Sequence, residues 1–193
     1  MRIVLASKSG VRKDILKKNN IEFEIEHSNV DEDQAKESLI DTGADPFLIS
    51  KNLAELKSVK VSLKRPDEIV LGADSVVSLN NKLINKPKSR EEALKILKML
   101  NNSTHHLISS ICISKNGSMI WNHTDKSTLK MKKLNEQQLK EYLSKIKTET
   151  LLAYGVYQIE ADGLELFEEI CGDMNSIMGL PIKPLMEYLK NLK

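Results

Sequence analysis

The strongest constraint on the fold lies in two short apolar runs, each of which breaks directly into polar residues. Arg2 to Ala6 carries Ile3-Val4-Leu5-Ala6 and opens into Ser7-Lys8-Ser9-Gly10. Glu68 to Leu71 carries Ile69-Val70-Leu71 and is followed by Gly72-Ala73-Asp74-Ser75. A strand without polar alternation is buried on both faces, so helices must cover the sheet. The intervening chain supplies them. Val11 to Asn19 sets Val11, Ile15 and Leu16 on one helical face, and Asp45-Pro46 caps and opens a helix through Ile49, Leu53, Leu56 and Lys57 to about Leu63. Between these helices Ile21, Phe23 and Ile25 alternate with Glu22, Glu24 and Glu26, the pattern of a half-buried strand.

The second half continues the alternation. Val76 to Leu79 and Lys82 to Ile84 flank Asn80-Asn81 as a hairpin. Ser89-Arg90-Glu91-Glu92 is a capping box, opening a helix with Ala93, Ile96, Leu97 and Leu100 inward. Leu107 to Ser114 and Ser118 to Met131 read as strands around the turn Lys115-Asn116-Gly117. Asn135 caps a helix through Ile146, residues 151–169 read as mixed strand and turn, and Pro181 to Leu192 closes the chain as a helix. There is no repeat and no linker. The expectation is one α/β domain over residues 1–193 with one cleft.

Composition removes several functions. Hydrophobic residues at 40% and charged residues at 29% are those of a folded domain, not a disordered chain. Against 29 Lys and Arg stand 27 Asp and Glu, and the aromatics are one Trp, four Tyr and three Phe, which disfavours a nucleic-acid surface. Cys112 and Cys171 have no Cys or His neighbours at zinc spacing. The adjacent His105 and His106 point to opposite faces of a strand and cannot share a metal. No apolar stretch is long enough for a membrane span or a signal segment, so a cytoplasmic protein with reduced thiols is expected.

Chemistry concentrates where the apolar strands end. At the first, a helix N-terminus beside Ser7, Lys8, Ser9 and Arg12 offers a phosphate cradle, with helix capping as the plainer use of the two serines. At the second, Asp74 is placed at the carboxyl edge of the sheet, where open α/β folds hold ligands, unless it serves only a local turn. Asp31-Glu32-Asp33 offers oxygen ligands to a hard cation, or begins a solvated helix. Lys86 precedes Pro87, which stiffens its backbone. The set favours an anionic ligand held by hydroxyls and cations, with carboxylates available for a divalent ion.

Seven blocks, in order from residue 3 onward, carry a resemblance: Leu5-Ala6-Ser7-Lys8-Ser9-Gly10-Val11-Arg12, Val30-Asp31-Glu32, Ala54-Glu55-Leu56-Lys57, Gly72-Ala73-Asp74-Ser75-Val76-Val77, Lys86-Pro87, Gly155-Val156-Tyr157-Gln158-Ile159-Glu160 and Met178-Gly179-Leu180-Pro181. Together they resemble the Maf family of nucleoside triphosphate pyrophosphatases. The segment from Ile170 to Pro181 is similar to the branch near the 7-methyl-GTP pyrophosphatases.

The resemblance implies a Maf/ITPase-like fold of two α/β lobes around a central cleft with a twisted mixed sheet. It implies hydrolysis of a nucleoside triphosphate to the monophosphate plus pyrophosphate with Mg²⁺ or Mn²⁺, in a cytoplasmic homodimer. Asp74 falls on the catalytic carboxylate, and Glu32 with Asp74 on the metal positions. Ser7, Arg12, Lys57 and Lys86 fall on substrate-binding positions, and Val11, Ser75 and Glu160 on positions tied to base selection. Two departures stand out: Val11 where the family often has a second Arg, and Gly10 where Pro is common. The alternative from another class is a non-catalytic nucleotide sensor regulating cell division.

Overall fold

The structure is a computed structural model and describes residues 2–159 and 161–192. The chain runs β1 (Ile3–Leu5), α1 (Gly10–Lys18), β2 (Phe23–Ile25), α2 (Glu32–Asp41), α3 (Pro46–Ser62), β3 (Val70–Leu79), β4 (Lys82–Ile84) and α4 (Arg90–Leu100). It continues through β5 (Thr104–Lys115), β6 (Ser118–Met131), α5 (Glu136–Ser144), α6 (Thr148–Tyr154), a 3-10 turn (Asp162–Leu166), β7 (Phe167–Cys171), α7 (Met174–Ile177) and α8 (Ile182–Asn191). One mixed sheet runs β2-β1-β3-β5-β6-β7, with β4 paired to β3. The pairs β2-β1 and β1-β3 are parallel and the rest antiparallel.

Two cores divide the molecule into lobes. One gathers Ile3, Leu5, Ile15 and Leu16 with Ile111, Ile113, Leu185 and Leu189, placing α1 and α8 on one end of the sheet. The other gathers Leu97, Leu100, Leu129 and Met131 with Leu139, Leu143, Leu151 and Phe167, holding α4, α5 and α6 at the other end. The long strands β3, β5 and β6 span both.

Helix α3 packs on the sheet through a stripe at helical spacing: Ile49, Ser50, Leu53, Ala54, Lys57, Ser58 and Val61 are buried. Small residues on that stripe let it approach very closely. A Cβ on Gly72 would lie 2.1 Å from the Ala54 carbonyl oxygen, so only glycine fits on β3 there.

Most expected elements are present, with corrections. Asp74 was expected just beyond a strand ending at Leu71, but β3 runs unbroken to Leu79 and Asp74 pairs with Ser110 in mid-strand. The first part of 151–169 is helical, because α6 packs Leu151 into the second core. The helix capped by Asn135 stops at Ser144, not Ile146. Asp31-Glu32-Asp33 begins α2, with the Asp31 carboxylate accepting from the Gln34 amide. At α4 the Ser89 hydroxyl accepts from the Glu92 amide, but the Glu92 carboxylate reaches back to the Lys88 amide instead of closing the box on Ser89.

Candidate active site

The site forms where strand pairing on one edge of β3 is interrupted. Strand β1 pairs with β3 only at Val70 and Leu71, and β4 joins the same edge only from Val77 onward. Beyond Leu5 the chain peels away into the Ser7-Lys8-Ser9 turn, and the stretch between Leu71 and Val77 borders an open cleft of about 440 Å³. Ser7, Val11, Arg12, Glu32, Lys57, Asp74, Ser75 and Lys86 all line it, and with Tyr157 and Gly179 the seven separated blocks of the sequence all reach one cavity. Tyr154, Tyr157, Gln158 and Ile159 line it as well. Glu160 lies outside the described residues.

At the centre, Lys57 joins two carboxylates. Its Nζ donates to Asp74 Oδ1 at 2.8 Å and lies 2.8 Å from Glu32 Oε1. Lys57 is 5% and Asp74 4% exposed, so this pair is held away from bulk water. Burial works against the Glu32 carboxylate, but Lys57, followed by Lys36 and Lys86, outweighs it and holds that carboxyl below its usual range. Asp74 Oδ2 is buried and has no hydrogen-bond partner among the described residues. An unsatisfied carboxylate oxygen is costly in a fold and calls for an occupant.

Arg12 occupies the gap left by β1. Its Nη1 donates to the Ala73 carbonyl at 3.0 Å and to Ser7 Oγ at 3.2 Å; its Nε donates to the Gly179 carbonyl at 2.8 Å, and Nη2 to Ser75 Oγ at 3.3 Å. The guanidinium thus satisfies a β3 carbonyl that lacks a neighbouring strand and ties it to the loop after α7. Burial lowers its pKa, while Asp74 and Glu32 favour its charge. Ser75 also shares a hydrogen bond with Ser109 at 2.9 Å. Ser9 caps α1 by accepting from the Arg12 amide, and Ser7 accepts from the Ser9 amide.

Lys86 lines the same cleft and lies within electrostatic reach of Glu32, Asp74 and Lys57. Burial is the main reason its ammonium falls below the ordinary lysine range, partly offset by Glu32. Sequence reasoning did not single out Lys36, which also lines the cleft. Its signal was weak: it follows Glu32 by one helical turn, but α2 buries no residue fully and packs only Ala35 and Leu39, both half-buried, against the core. Among the described residues, the cleft gathers Lys8, Arg12, Lys36, Lys57 and Lys86 against Glu32 and Asp74, five cations against two carboxylates. It is built to hold an anion.

Comparison with known proteins covers almost the whole chain. The family described as Maf-like protein matches residues 2–192. The chain is 60% identical over 191 residues to a nucleoside triphosphate pyrophosphatase of Pelagibacter ubique, covering 99% of this chain and 98% of that protein. It is 35% identical over 193 residues to a 7-methyl-GTP pyrophosphatase of Brucella suis, covering 100% and 97%. Among solved structures, a HAM1 protein from Coxiella burnetii superposes with a TM-score of 0.46 at 15% identity, over 68% of this chain and 73% of that one. With the family pattern matched over residues 2–192, this chain belongs to the Maf family.

Proposed function

We propose that the cleft hydrolyses a nucleoside triphosphate to the monophosphate and pyrophosphate. The observation that carries this reading is Asp74 Oδ2, buried, unpartnered and facing a cleft with an excess of cations. The two relatives described above, each aligned over nearly its whole length, bear names of this activity.

The residues suit the steps. Lys57 anchors Asp74 through Oδ1, which leaves Oδ2 to orient a water molecule and take its proton as the oxygen attacks the α-phosphorus. The bond from that phosphorus to the bridging oxygen breaks, and pyrophosphate departs with its new charge facing Lys86. Arg12, on the cleft wall, holds Ser7, Ser75 and the β3 backbone in place.

A divalent ion of the Mg²⁺ or Mn²⁺ type fits the donor set. Asp74 Oδ2 has no protein partner and Glu32 stands beside Asp74 on the same lysine, so the two carboxylates could share an ion and its bound water. Such ions bind through one or two carboxylates and complete their shell with water and phosphate oxygens, so a larger protein cage is not needed. No cluster of three or more His, Cys, Asp or Glu side chains suited to a metal occurs among the described residues. When bound, the ion would neutralise phosphate charge and polarise the phosphoryl group.

For the base, the reading rests on residue type alone. Glu160 offers two acceptors, matching the adjacent N1–H and N2–H₂ donors of guanine, whereas Gln would suit uracil or thymine. The preference is therefore for guanine-type or modified purine triphosphates over UTP and dTTP. Methylation at N7 makes guanine cationic and strengthens its attraction to a carboxylate. Val11 and Ser75 line the same cleft. No helix among the described residues is long and apolar enough to cross a membrane. A cytoplasmic location and a homodimer complete the reading, both carried by the family resemblance.

A pyrophosphate-release screen over ordinary and modified triphosphates, with Mg²⁺ and with Mn²⁺, tests the reading. Release from guanine-type substrates above UTP and dTTP is expected. Absence of pyrophosphate release from every triphosphate would overturn the activity, and a preference for UTP or dTTP would overturn the base assignment.

A further inference from the structure

Lys36 lies on α2 one turn after Glu32, so the two side chains share a helix face. A Glu followed four residues later by Lys is the favourable order for an ion pair along a helix. The structure does not use it that way. Glu32 Oε1 is taken by Lys57, and Lys36 forms no ion pair with any carboxylate among the described residues. Lys36 is half-buried and lines both the main cleft and the smaller pocket beside it, and Lys86 lines both as well. The two ammonium groups are near enough for Lys36 to act on Lys86 as a like charge, adding to the larger effect of burial. Glu32 attracts both lysines and offsets their repulsion, but its carboxylate is held by Lys57, so an anion seated between the two ammonium groups gains attraction from both.

We propose that Lys36 and Lys86 together seat the two terminal phosphates of the substrate, with Lys36 contributing a pyrophosphate contact that none of the sequence motifs contains. The division of labour follows from geometry. Lys57 is committed to Asp74 and Glu32 and serves the end of the phosphate chain where water attacks. Lys36 and Lys86 stay available for the leaving group. The inference rests on the pyrophosphatase reading and assigns one of its residues.

The test uses the full chain, with Lys36→Gln to remove the charge and Lys36→Arg to retain it. Inorganic pyrophosphate and GMP are titrated separately by calorimetry without divalent cations, so the readout does not depend on turnover. A charge-assisted hydrogen bond, discounted for partial exposure, predicts pyrophosphate binding weakened roughly 5–10-fold in Lys36→Gln. GMP affinity should change less than about twofold, and Lys36→Arg should stay close to wild type. The salt dependence of pyrophosphate binding should also become shallower in Lys36→Gln. Unchanged pyrophosphate affinity in Lys36→Gln, or an equal loss for GMP, would overturn the assignment while leaving the activity intact. Wild-type protein that neither binds pyrophosphate nor releases it from any triphosphate would take down both.

Discussion

Replacing Asp74 by Asn separates the chemistry of the site from its architecture. The amide is nearly isosteric, and its oxygen can still accept from Lys57, which in native protein donates to Asp74 Oδ1 at 2.8 Å. Lys57 also keeps its Glu32 partner at 2.8 Å, so the buried ammonium is not left uncompensated. Exchanging a charge-assisted bond for a neutral one costs about 1 kcal/mol. Removing a buried carboxylate with an unpartnered oxygen offsets part of that. For a chain of this size the melting temperature should fall by roughly 2–4 °C at most. The catalytic loss is far larger, because an amide cannot take a proton from water. General-base assistance is worth roughly 10²–10⁴-fold, or about 3–5 kcal/mol of barrier. The assay is kcat for pyrophosphate release at saturating triphosphate, measured beside a thermal melt. If Asp74→Asn retains more than about a tenth of wild-type kcat, the base assignment is wrong. A collapse of the melting temperature together with the activity would make Asp74 a scaffold residue instead.

Four other outcomes are expected. Arg12→Lys should destabilise the fold by roughly 2–4 kcal/mol in a denaturant titration, since one ammonium cannot serve the Ala73 and Gly179 carbonyls and two hydroxyls at once; an unchanged midpoint would refute the tie. Excess EDTA should abolish turnover, and alkylation of native protein should label the exposed Cys171 but spare Cys112, whose buried thiol is pushed up to about 12, with activity retained; activity in chelator would remove the metal. Burial, with a smaller contribution from His106, lowers His105 from 6.5 to about 4, so its stabilisation is intact above pH 6.5 and is lost as pH falls towards 4. That loss should amount to roughly 2–3 kcal/mol and should be absent from the pH–stability profile of His105→Gln, which keeps a polar partner for the Tyr157 hydroxyl.

The parts of the fold that were legible in the sequence are those with a strong local code. Asn80 and Asn81 both adopt positive φ, at 50° and 60°, as the two-residue hairpin turn requires. Strand β6 has the expected ends, and α3 begins at its Asp-Pro signal, with Asp45 accepting from the Leu48 amide. Elements with no such code were missed. In α2 no side chain is fully buried and only Ala35 and Leu39 pack on the core, too short an apolar pattern to mark a helix, and with the helix went Lys36. Helix α6 is seven residues long, has no side-chain cap, and exposes Leu152 and Tyr154 while burying Leu151. Lys57 was legible in retrospect through its neighbours. It falls on the stripe of Leu53, Ala54, Ser58 and Val61, where a lysine is forced inward and must meet a carboxylate, while Leu56 beside it faces solvent.

Asp74 shows why a site can be found for a partly mistaken reason. The expectation placed it beyond the end of a strand, at the carboxyl edge of the sheet. Strand β3 does not end there, because its pairing with β5 continues through Asp74↔Ser110 and on to Ser78↔His106. What ends is β1, the parallel neighbour, whose last registered pair is Leu5↔Leu71 and whose last bond runs from the Ala6 amide to the Leu71 carbonyl. On that edge alone, Asp74 does lie past the carboxyl end of a parallel strand, in the kind of crevice where α/β sheets hold ligands. The antiparallel side supplies what a loop could not, since a strand paired along its length holds the acid rigidly, and rigid placement is what a water-positioning carboxylate needs. The open edge has its own cost in the form of the Ala73 carbonyl, which has no strand to meet. Arg12 meets it. The interruption that opens the cleft therefore also fixes where Arg12 must sit, and through Arg12 the positions of Ser7, Ser75 and the Gly179 loop around the same cavity.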